Sequence, residues 1–101
     1  MTEQTARERE AKLLQRCVQV ARGLPHDAGV AGGREANVLR VAAMVLQSTF
    51  PAESRMLMAE ADRYFAEHPE ELEPVVNVVR NGDVVNLPRL RDGLTRLLKQ
   101  R

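Results

Sequence analysis

Apolar residues recur in steps of three and four along most of this chain, the pattern of helices that bury one face. Leu13, Leu14, Cys17, Val18, Ala21 and Leu24 fall along one side of a first helix, with charged residues on the other. Thr5 followed three residues later by Glu8 reads as a capping box at its start, with Thr2 as the other candidate boundary. Glu8 and Lys12 have the spacing of a stabilising pair on its polar side. Between Gly23 and Gly33 the pattern stops, and four glycines with Pro25 predict a loop.

Ala36, Val38, Leu39 and the run Val41 to Leu46 are apolar almost all the way round, which predicts a helix covered on several sides. Pro51 suits the first turn of a third helix, Glu53 stands near its positive end, and Leu57, Met58, Ala61, Tyr64 and Phe65 form its stripe. Pro69 ends that helix, and Pro74 prevents an unbroken one through the following residues, so a turn at 69–73 and then a short helix are expected.

The segment from Val75 to Val85 admits two readings. Asn81-Gly82 between valine-rich runs is a hairpin signal, which makes a short β-hairpin at 75–87 the alternative. Val75, Val76, Val78 and Val79 instead follow helical spacing, and a lone hairpin is marginal, so a helix capped by Asn81-Gly82 is the preferred reading. Asn86 then caps a last helix with Pro88 in its first turn and a stripe of Leu87, Leu90, Leu94, Leu97 and Leu98. The sum is an all-α, compact four- to five-helix bundle forming a single domain over residues 1–101.

Composition supports an ordered chain: 44% of the 101 residues are hydrophobic and the net charge is +1, far from the balance that keeps chains unfolded. Cys17 is the one cysteine, so no internal disulfide or CxxC motif exists. The longest uncharged stretch, Val41 to Ala52, is too short for a bilayer, and the first residues lack the apolar run of an export signal. A soluble protein of the reducing cytoplasm is expected.

Charge changes the picture when it is divided by segment. Residues 52–73 carry seven acids against Arg55 and Arg63, a net of −5, while residues 74–101 carry six bases against Asp83 and Asp92, a net of +4. Glu53, Glu60 and Glu67 are seven apart and form a column on the third helix, and Arg89, Arg96 and Lys99 project opposite the leucines of the last. Such columns can pair within one molecule or between two. Met56 lies beside the glutamates, where burial in one small bundle is difficult, whereas Met44 and Met58 read as core.

Candidate chemistry is sparse. Cys17, His26 and Asp27 are the residue types of a nucleophile, a base and an orienting group, but Cys17 lies within an apolar stripe and reads as core. The two histidines, His26 and His68, form no HxxxH or HExxH pair, so no metal site is expected, and His68 suits the negative end of the third helix. Gly29 to Glu35 opens onto a helix as phosphate-binding loops do, yet has neither GK[ST] nor GxGxxG and reads as a linker. Glu70, Glu71 and Glu73 could pair as carboxylates and are more simply helix-start residues.

No catalytic, cofactor or metal residues are therefore assigned. The expected function is a non-enzymatic protein–protein interaction module, such as a small adaptor, regulator or chaperone-like subunit. It is expected to self-associate, with homodimers formed through Glu53, Met56, Glu60, Glu67, Arg89, Arg96 and Lys99. The alternative is a DNA-binding or transcription-regulating protein using the basic last helix. Three phosphate contacts there would give a salt slope of only about −2.7, and three aromatics make a poor stacking platform for single strands.

Overall fold

The computed structural model describes residues 3–23, 30, 32–82, 84 and 86–100, with side chains from Arg7 onward. They form five helices: α1 (Glu3–Ala21), α2 (Gly33–Leu46), α3 (Pro51–Glu67), α4 (Val75–Arg80) and α5 (Leu87–Lys99). A 3-10 turn, Pro69–Glu71, stands between α3 and α4. The fold is an all-α bundle, and the described residues contain no strand. Its Cα radius of gyration, 12.7 Å, is close to the roughly 13 Å of a compact chain this long.

α2 is the central helix. α1, α3, α4 and α5 all pack against it, and Ala36, Val38, Leu39, Val41, Ala42, Ala43 and Leu46 are buried as their all-round pattern predicts. α3 makes the most extensive contact with it. Alanines at 42 and 43 leave room for close approach, and the Ser54 hydroxyl of α3 donates 2.6 Å to the Ala43 carbonyl in the buried seam. One contiguous core joins Leu14, Cys17, Val18 and Val20 of α1 to Leu39 and Leu46 of α2, Leu57 of α3, Val78 of α4 and Leu94 of α5.

Three local expectations are corrected. α1 begins at Glu3, so Thr5 stands inside the helix, past the N-cap position; Thr2 lies outside the described residues. Glu8 and Lys12 form no pair. Glu10 instead reaches across to Arg89 of α5, because the polar side of α1 is also a helix–helix boundary. Met44, read as core, is 47% exposed, since the side of α2 at that turn faces outward. Most of the expected loop at 23–33, with Leu24, His26 and Asp27, lies outside the described residues.

The segment after Pro74 is helical, and the hairpin alternative fails there. Val78 is buried on the core, the Asn81 N–H bonds the Asn77 carbonyl at 2.9 Å, and Gly82 takes φ +80. Asn-Gly thus serves as a helix C-cap, the left-handed glycine coming just after the last helical turn. Asp83 and Val85 lie outside the described residues. Asn86 caps α5 as predicted, its side chain accepting 2.7 Å from the Arg89 N–H, with Pro88 in the first turn. Leu90 and Leu94 are buried, Leu97 and Leu98 pack at the core's edge, and Leu87 is exposed.

Candidate functional site

The residues between α3 and α4 form a fixed acidic corner, and α2 fixes it. Asn37, buried amid the apolar run, donates 2.9 Å to the Glu71 carbonyl and 2.8 Å to the Gly33 carbonyl and accepts 3.0 Å from the Glu73 N–H. Arg40, one turn along, donates 2.6 Å to the Glu73 carbonyl. The Glu71 carbonyl and both backbone groups of Glu73 therefore take their hydrogen bonds from α2 side chains, where a free loop would take them from water. Beside it opens a cavity of about 530 Å³ lined by Gly33, Arg34, Asn37, Glu71, Glu73 and Val78, among others.

At the corner's outer edge the Tyr64 hydroxyl donates 2.7 Å to Glu71 Oε1. That bond, reinforced by the nearby carboxylate charges, raises the phenol's affinity for its proton above the ordinary tyrosine value. The His68 ring lies against Tyr64 with centroids 4.5 Å apart, and its Nδ1 stands 3.4 Å from Glu71 Oε2 and 3.9 Å from Glu70 Oε1. Glu71 also packs against the start of α2, so closely that a Cβ on Gly33 would fall 2.5 Å from Oε1. The glycine-led N-terminus of α2, read as a linker in preference to a phosphate-binding loop, thus faces the chain's own carboxylate, a charge suited to that end of a helix.

The flagged side chains separate into two groups. Arg89 forms a bidentate pair with Glu10 at 2.7 and 3.1 Å, which raises its pKa, and Glu60 is paired with Arg63 at 3.1 Å. Met56 is 44% exposed, with its methyl group beside Gly23. Glu53 is half-buried, Glu67, Arg96 and Lys99 are exposed, and none of these four has a partner among the described residues. α3 and α5 both pack on α1 and α2 and have no substantial contact with each other, so the two charged columns do not meet within the molecule.

Cys17 is 1% exposed, and burial, with the Glu35 charge adding to it, pushes its thiol up to about 12. It is a protonated core residue at neutral pH, and His26 and Asp27 lie outside the described residues.

Sequence reasoning missed Asn37, Tyr64 and Arg22. Asn37 had a signal, a lone amide inside an apolar run, whose burial demands partners. Arg22 had none: it donates to the carbonyls of Leu97 at 3.0 Å and Gln100 at 2.6 Å, contacts set by tertiary structure alone. Set beside known proteins, this chain matches no family model, no curated protein and no solved structure.

Proposed function

We propose that the protein is a non-enzymatic interaction module that associates with a second copy of itself through the charged outer faces of α3 and α5. The observation behind this reading is that Glu53 and Glu67 on α3, and Arg96 and Lys99 on α5, have no intramolecular partner among the described residues while α3 and α5 stay apart. Opposite charges on separate faces of one molecule complement each other between two molecules. Exposed Met56 next to the acidic column adds an adaptable apolar contact. A cytoplasmic setting suits a chain whose cysteine is free and buried.

Light scattering tests it. At about 0.01 M salt, where the screening length is roughly 30 Å, the solution mass should be twice the 11.3 kDa of the chain, and near 1 M, where it is about 3 Å, it should fall towards the monomer. A monomer under both conditions overturns self-association. If that monomer takes up a short DNA duplex at low salt, the exposed cations Arg96 and Lys99 of α5 become the phosphate contacts instead, since Arg89 is engaged by Glu10 and Arg91 by Asp92.

A further inference from the structure

We propose that His68, Glu70 and Glu71 form a binding site for a borderline divalent transition ion of the Zn²⁺ type. A ring nitrogen and two carboxylate oxygens, one from each residue, lie within 4.8 Å of one another. Ligand atoms held about 2.1 Å from a tetrahedral ion stand about 3.4 Å apart. His68 Nδ1 and Glu71 Oε2 already have that separation, 3.4 Å, and Glu70 Oε1 at 3.9 Å from Nδ1 needs only a small side-chain adjustment.

The surroundings divide the work as metal sites do. Glu71 uses Oε1 to accept from Tyr64, which leaves Oε2 turned to the histidine. Such a hydrogen bond from outside the ligand set orients a carboxylate and tunes its affinity. Tyr64 also backs the imidazole ring, and the Asn37 bond to the Glu71 carbonyl fixes the turn that carries both acids. Glu70 and Glu71 also border the 530 Å³ cavity, which gives water access to the remaining coordination positions. The mixed nitrogen and oxygen set favours Zn²⁺ and its neighbours over Ca²⁺, which takes six to eight oxygens. The histidine–glutamate spacing is absent from helical metal motifs because a proline-led 3-10 turn, in place of an α-helix, brings the side chains together.

Calorimetric titration of the full chain with Zn²⁺ in a non-chelating buffer tests the site, with Co²⁺ absorption as a signature of coordination. One ion per chain should bind, with Ca²⁺ at the same concentration producing no saturation. His68→Gln and Glu71→Gln should each weaken Zn²⁺ binding by about tenfold or more, and Tyr64→Phe by about tenfold, while His26→Gln leaves it unchanged. Circular dichroism of each variant checks the fold, and the exposed Glu70→Gln offers a third removal of a ligand. Absence of saturable Zn²⁺ uptake by the unaltered chain overturns the proposal, as does binding that survives His68→Gln or is lost with His26→Gln.

Discussion

Asn37 and Cys17 are both buried on the sides of helices, yet they carry opposite kinds of information. Asn37 satisfies three backbone groups, so Asn37→Ala should cost roughly 2–4 kcal/mol by leaving the Glu71 carbonyl and the Glu73 N–H without partners. Urea unfolding would show this as a lower midpoint with an unchanged slope. Cys17 should resist thiol reagents at pH 8 in the folded chain and react only as fast as the chain opens. Its pKa is raised in the folded state, so the unfolded chain loses the proton first as pH climbs past the ordinary thiol value of 9.0. Folding stability should therefore fall between about pH 9 and 12, by up to about 1.4 kcal/mol per pH unit, and Cys17→Ala should remove that share of the dependence. The core role of Cys17 was legible from its stripe. The role of Asn37 was legible only as an anomaly, because its partners Glu71 and Glu73 stand 34 and 36 residues away and no local pattern reports on them.

Among the elements, the short helix α4 shows how a local signal is decided by its surroundings. Asn-Gly is compatible with a hairpin turn and with a helix cap, since both use glycine in a left-handed conformation. Val78 decides between them, because helical spacing delivers it to the core formed with α2, whereas a lone two-stranded hairpin would find no sheet to join among the described residues. Nothing lies within 4 Å of where a Cβ on Gly82 would stand, so the cost of Gly82→Ala is conformational alone. A loss of about 1 kcal/mol is expected in thermal or urea unfolding, and Gly82→Asn should lose less. The other helices were legible from spacing and from proline and asparagine caps. The start of α1 was not, because several polar residues near it could serve as caps and no spacing in the sequence chooses among them.

At the scale of the whole molecule, the sign reversal between residues 52–73 and 74–101 becomes a separation in space, with the acids on α3 and its following turn and Arg89, Arg91, Arg96 and Lys99 on α5. Which charges remain available was not legible, since pairing partners such as Glu10 for Arg89 come from another helix. Glu60, engaged by Arg63, is a poorer probe of assembly than exposed Glu67. Glu67→Lys should weaken the proposed self-association, and adding Arg96→Glu should restore part of the loss; sedimentation of both single variants and the double would reveal independent effects if the faces do not meet. The Asn37 and Arg40 contacts have one further bearing on the molecule as a whole. They immobilise the acidic corner during folding, so the entropy of ordering it is spent before any cation arrives, and a bound ion meets a preorganised set of carboxylates. By linkage, the same arrangement makes occupancy of that corner a stabiliser of the junction between α2, α3 and α4, so a cation held at the surface would act as a clamp on the centre of the bundle.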